Sequence, residues 1–125
     1  MGKNIAVKYN HDGGQVSIKL EFSGDFFAEY LYELWSATDN SKADEQEGNN
    51  NNPQDDIFYL PTPLILNKGR LAKFTISFLG RNENHPDYEI CAKVFQDNNE
   101  LGVASDAGSL SFQEQDLTLR ISLLV

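Results

Sequence analysis

Apolar and polar residues alternate with a period of two along several segments of this chain, and this pattern constrains the fold more than any other feature. The clearest example is residues 15–23, where Val16, Ile18, Leu20 and Phe22 alternate with polar side chains. Successive side chains of a β-strand point to opposite faces, so the pattern predicts a strand with one buried face and one solvated face. Such one-sided strands are typical of antiparallel sheets.

Turn-forming residues separate the alternating segments at short intervals. Strands are predicted at residues 4–10, 15–23, 57–60, 71–79, 88–96, 100–104 and 117–125, with Asp106–Gly108 as a turn. Roughly seven to nine short strands at this spacing predict a single all-β domain. We expect an antiparallel β-sandwich, immunoglobulin-like or C2-like, spanning residues 1–125. Because many unrelated functions share such architectures, the fold by itself predicts no function.

Residues 26–35 fit two structures. Their apolar residues match one face of a helix that Asp25 could cap. They also alternate as a strand, with Ala28, Tyr30 and Leu34 among the residues of one face. Aromatic enrichment and the preceding strand favour the strand.

An acidic, asparagine-rich tract interrupts the alternation between Trp35 and Ile57. Loops longer than about 12–15 residues are usually functional or disordered. We therefore predict one long, mobile acidic loop at about residues 36–56. It either only solvates the domain or becomes ordered when it binds a partner.

Calcium is the metal that this tract could hold, because Ca²⁺ takes about six to eight oxygen ligands, often from loop carboxylates. The tract has no EF-hand spacing, so the sequence predicts no tight site and no cofactor. The weak candidate ligands are Asp39, Asp44, Glu45, Glu47, Asp55 and Asp56.

Carbohydrate is a second possible ligand. Trp35 leads into the acidic tract and Tyr59 follows it, so the two rings could flank the base of the loop as a stacking platform. The alternative is that both rings belong to the core.

The net charge of −9 excludes several classes of partner. Nucleic acids and anionic membranes select basic surfaces, so we expect this chain to bind neither. The single cysteine, Cys91, permits no disulfide within the chain. Together with an N-terminus that lacks an apolar signal segment, this predicts a cytoplasmic protein.

Catalytic signatures are absent from the sequence. The two histidines, His11 and His85, lie in turn segments, and no nucleophile, metal-protease or phosphate-loop motif is present. Cys91 alternates with Ile90 and Ala92, which is typical of a packing residue. We therefore expect no enzymatic activity.

The C-terminal residues Leu123, Leu124 and Val125 form an apolar end without a polar tail. Alternation prevents all three from facing one core. We therefore predict an interface at this strand or at another sheet edge. The function that these observations favour is a non-enzymatic binding or assembly module acting through protein–protein contacts, with a partner or a second copy. The alternative is a small-ligand module for calcium or carbohydrate at the loop end.

Overall fold

The computed structural model describes residues 2–51 and 56–125, and in this part of the chain the fold is all-β without an α-helix. A short 3₁₀ helix spans Leu64–Asn67. No helix of the described residues is long and apolar enough to cross a membrane. The strands are β1 (Asn4–Lys8), β2 (Val16–Gly24), β3 (Phe26–Trp35), β4 (Lys42–Asn49), β5 (Asp56–Tyr59), β6 (Leu71–Gly80), β7 (Asp87–Gln96), β8 (Asn99–Ser109) and β9 (Gln115–Leu124).

Two sheets contain these strands. The larger sheet has the order β1-β9-β6-β3-β4, and the smaller sheet has the order β5-β2-β7-β8. All neighbours are antiparallel except β1 and β9, which are parallel. The prediction of a purely antiparallel structure is wrong for this pair, because alternation along a strand is the same whichever direction its neighbour runs.

The core lies between the sheets and is rich in aromatic rings. Tyr32 of β3 contacts Phe58 of β5 with ring centroids 4.5 Å apart. The ring centroids of Phe78 of β6 and Tyr88 of β7 are 4.7 Å apart. Phe74, in the middle of β6, is fully buried. The inward residues predicted for β2 are confirmed, with the exception that Phe22 is only partly buried, and every second residue of β6 is buried as well.

Residues 26–35 form strand β3, which lies between β4 and β6. Its inward side chains Ala28, Tyr30, Tyr32 and Leu34 are buried. The strand prediction is therefore confirmed over the helical alternative. A neighbouring strand on each side satisfies the backbone of this segment, and a helix would have removed both ladders.

The predicted single loop at residues 36–56 is wrong over residues 42–49, which form β4. These residues carry no apolar alternation, but they pair with β3 from Glu29↔Asn49 to Trp35↔Lys42. Main-chain hydrogen bonding stabilises this strand instead of hydrophobic burial, and therefore the side-chain pattern did not reveal it.

The predicted turn at Asp106–Gly108 is also wrong, because β8 continues through it to Ser109. Asp106 pairs with Ile90 and Gly108 pairs with Tyr88 of β7. The long β7 strand offers a ladder partner over this whole length, and this outweighs the weak strand propensity of Asp and Gly.

The strand order leaves β1 and β4 at the edges of the larger sheet and β5 and β8 at the edges of the smaller one. Ser105 of β8 donates its N–H to the carbonyl of Gly2, which lies just before β1. The β8 edge of the smaller sheet therefore lies beside the β1 edge of the larger sheet. On the opposite side, the ring of Tyr30 of the larger sheet packs against Phe58 of β5, with ring centroids 5.8 Å apart. This second side contains the acidic strand β4.

Candidate functional site

Strand β4 has a free main-chain edge: it pairs with β3, and no strand of the described part of the chain pairs with its other side. Just beyond β4, the Asn50 N–H donates to the carbonyl of Ala28 at 3.2 Å. Hydrogen-bonded and non-hydrogen-bonded pairs alternate along an antiparallel ladder. The N–H groups of Glu45, Glu47 and Asn49 therefore point away from β3.

A neighbouring carboxylate covers one of these N–H groups. The Glu45 N–H donates to Asp44 Oδ1 at 2.8 Å, which agrees with its orientation away from β3. Within residues 2–51 and 56–125, no side chain accepts a hydrogen bond from the Glu47 N–H. Glu47 is therefore the centre of the free edge.

Lys42 anchors the other end of β4. Its ammonium lies 2.6 Å from a Glu33 carboxylate oxygen and 2.5 Å from one of Glu45. These hydrogen bonds, to Glu33 first and then to Glu45, raise the pKa of Lys42. The ammonium also lies 5.2 Å from the ring centroid of Trp35. Lys42 therefore pairs with both Glu33 and Glu45, whereas Glu47 has no ion-pair partner among the described residues.

A shallow trough of about 540 Å³ lies on the outer face of the larger sheet beside the free edge. It crosses from β4 over β3 to β6, because the three strands place their outward side chains in shared cross-strand rows. Its lining residues are Glu29, Tyr30, Leu31, Glu47, Gly48, Asn49, Thr75 and Ser77.

The trough carries negative charge and hydroxyl groups. Glu29 and Glu47 are both exposed, and neither has an ion-pair or hydrogen-bond partner among the described residues. On the β6 side, Ser77 Oγ donates to Asp116 Oδ1 at 2.8 Å. Lone carboxylates and hydroxyl oxygens accept hydrogen bonds, so the trough can accommodate a donor-rich cationic group.

The inner side of β4 rests on Tyr30. Gly48 is required there, because a Cβ at this position would collide with the Tyr30 hydroxyl. Burial raises the pKa of Tyr30 well above its usual range, and the charge of Asp56 and a hydrogen bond to it add to the effect. The Tyr30 ring also packs against Phe58 of β5, so Tyr30 lies between β4 and the smaller sheet.

Trp35 and Tyr59 do not form a shared platform. Trp35 is half-buried on the outer face of the larger sheet, where it pairs with Leu71. Tyr59 is exposed on the outer face of the smaller sheet, opposite Ser17. The hypothesis that both rings bind one sugar is wrong, because the two faces lie on opposite sides of the core.

The predicted metal ligands do not converge among the described residues, where no group of three or more acidic, histidine or cysteine side chains could hold an ion. Asp39 accepts hydrogen bonds from Ser41, and these lower its pKa. Glu45 pairs with Lys42, and Asp56 begins strand β5. Asp55 lies outside the described residues.

The C-terminal strand is not a sheet edge, since β9 lies between β1 and β6. Leu123 is completely buried, and Val125 packs partly against the same core. Leu124 points outward and is 46% exposed. The prediction that this strand offers an edge to a partner is wrong, and an interface at Leu124 itself stays a prediction.

The two histidines and the cysteine occupy separate surroundings. His11 lies beside Asp12 at 3.5 Å, and His85 is exposed in the loop after β6. Among the described residues, no hydrogen bond joins either imidazole to a serine or cysteine side chain. Cys91 is buried on β7, and burial is the main cause that raises its pKa, which lowers the reactivity of a thiol.

Glu29, Thr75 and Ser77 are members of the site that no sequence pattern predicted. Each lies on the outward face of its strand, and the period-two alternation of that strand was the available signal. Their proximity depends on the register that sets Glu29 opposite Ser77 and Leu31 opposite Thr75. Residues so distant in sequence share no local pattern that could have indicated it.

Comparison with known proteins adds information about the fold. No protein-family model and no curated protein match this chain. A similar solved structure is the crystal structure of a DUF4425 family protein from Bacteroides ovatus ATCC 8483 at 2.52 Å resolution. The TM-score is 0.53 at 14% identity, over 88% of this chain and 95% of that chain. At this identity the likeness shows the fold alone.

Proposed function

We propose that this domain is a non-enzymatic protein-binding module that adds an extended segment of its partner to the free edge of β4. The observation that carries the proposal is the unpaired outer side of β4, with the N–H groups of Glu47 and Asn49 directed away from β3. Main-chain hydrogen bonds to an exposed sheet edge supply affinity in this kind of recognition.

The composition of β4 favours a foreign partner over a second copy. Natural edge strands avoid pairing with themselves by carrying charged side chains. Two β4 edges brought together would place Glu45 and Glu47 of each copy among like charges, which is destabilising across strands. Assembly through β4 would also add to the repulsion between two chains of net charge −9.

For the scaffold, we propose a β-sandwich of immunoglobulin-like or C2-like kind. Two sheets with aromatic contacts between them support the sandwich. For the location we propose the cytoplasm, which the single Cys91 supports.

A matched pair of variants tests the edge. Glu47→Pro removes the outward N–H, while Glu47→Ala removes the same carboxylate and keeps the N–H. Proline is tolerated at an edge position whose N–H faces solvent, so both variants should fold with similar thermal stability. Peptides selected from a phage-displayed random dodecamer library on the wild-type domain provide the probe.

Selected peptides should bind Glu47→Pro at least tenfold more weakly than Glu47→Ala. In the wild type, bound peptide should protect the Glu47 and Asn49 amides from hydrogen exchange. The proposal fails if the library yields no binding peptide. It also fails if the proline and alanine variants bind every selected peptide equally.

A further inference from the structure

We infer that the segment taken up by β4 is cationic and places a lysine or arginine side chain over Glu47, in the trough towards Glu29. This inference rests on the proposed function and names the chemistry of the partner. It concerns the outer face of the larger sheet, where side chains of an added strand would continue the existing cross-strand rows.

The geometry of strand addition determines which partner residues reach the trough. Alternate side chains of an added strand would lie on the outer face beside Glu45, Glu47 and Asn49. Neighbouring strands are about 4.8 Å apart, so β3 lies about 10 Å from the added strand. A long side chain opposite Glu47 can therefore extend across β4 towards Glu29.

The distribution of charge selects a cation at this position. Glu45 already shares Lys42 with Glu33. Glu47 and Glu29, by contrast, have no partner among the described residues. Each is exposed in the free domain, so a cation can pair with both carboxylates without first breaking an existing ion pair. Opposite charges across strands are favourable, whereas an acidic partner residue here would be repelled.

The trough also suits the donors of a lysine or arginine side chain. An ammonium or guanidinium group has several N–H donors and no acceptor. The lining next to the added strand supplies the two carboxylates as acceptors, whereas Thr75 and Ser77 lie one strand further away on β6. Leu31, between Glu29 and Glu33 on β3, is half-buried and offers apolar surface for the aliphatic part of the side chain.

The dodecamer selection also tests this inference. Peptides enriched on the wild-type domain should contain more lysine and arginine than the unselected library, and their affinity should fall as salt concentration rises. The double variant Glu29→Gln/Glu47→Gln should bind them about tenfold more weakly, since each exposed pair contributes up to about fivefold.

A second double variant controls for net charge. Glu89→Gln/Glu100→Gln removes the same two charges from exposed positions on the smaller sheet. It should change affinity less than twofold. Equal weakening by the two double variants would mean that overall charge, and not the trough, attracts the peptide, and would overturn the inference.

The outcomes separate this inference from the proposed function. Enriched peptides without an excess of lysine or arginine would refute the cationic segment. If those peptides still bound Glu47→Ala better than Glu47→Pro, strand addition at β4 would stand. A library that yields no binding peptide would refute both.

Discussion

Replacing Phe74 by alanine should be among the most destabilising single changes in this protein. Phe74 is fully buried in the middle of β6. Its ring centroid lies 5.0 Å from that of Tyr32 and 5.4 Å from that of Phe58 across the core. Truncation removes a ring from contacts with both sheets. Phe→Ala changes in packed cores cost about 3–5 kcal/mol.

The expected shift in melting temperature follows from the length of the chain. Unfolding entropy is about 2.1 cal/mol/K per residue, or about 0.26 kcal/mol/K for 125 residues. A loss of about 3–5 kcal/mol then lowers Tm by about 11–19 °C. Urea denaturation followed by circular dichroism measures the same loss as a lower midpoint with an unchanged slope.

Thr75, the residue next to Phe74, provides the control for Phe74→Ala. Thr75 lies on the same strand with its side chain on the outer face and is half-buried. Thr75→Ala should cost under about 1 kcal/mol. If Phe74→Ala does not fold, Ile76→Val on the same inner face should still cost about 0.5–1.5 kcal/mol. A larger loss for Thr75→Ala than for the inner-face variants would mean that the faces of β6 are assigned wrongly.

Four further perturbations test separate parts of the structure. Tyr32→Phe should leave stability unchanged or raise it, because the buried Tyr32 hydroxyl has no hydrogen-bond partner among the described residues; a loss above about 1 kcal/mol in urea denaturation would contradict this. Gly48→Ala should cost about 1–3 kcal/mol through the collision with the Tyr30 hydroxyl, measured in the same way. Burial and the hydrogen bond to Asp106 raise the pKa of Tyr88 from 10.0 to about 12. Its contribution to stability is therefore full below pH 10 and lost as the pH rises towards 12, which urea midpoints across this range should detect. Leu124→Lys should change stability by less than about 0.5 kcal/mol, since the side chain is exposed, and sedimentation of wild type and variant tests whether Leu124 supports association.

The alternation of apolar and polar residues predicted the features that depend on a single strand. The inward residues of β2 and β6 and the outward Thr75 follow from a period-two pattern, because side-chain direction is a local property of extended backbone. The polar turn at 97–98, where both residues have positive φ, also follows from local turn chemistry. These features needed no knowledge of which strands are neighbours.

The tertiary structure decided which strands pair and where their edges lie. Strand β4 has no apolar alternation of its own, and its register against β3 is what makes it a strand. Strand β9 has ideal alternation, yet its place between β1 and β6 removes the edge that its sequence suggested. Glu29, Glu47 and Ser77 meet only through two successive registers. The physical reason is that main-chain hydrogen bonds between strands are nearly independent of side-chain identity, so the choice of neighbouring strands depends on long-range packing and not on the pattern within one strand.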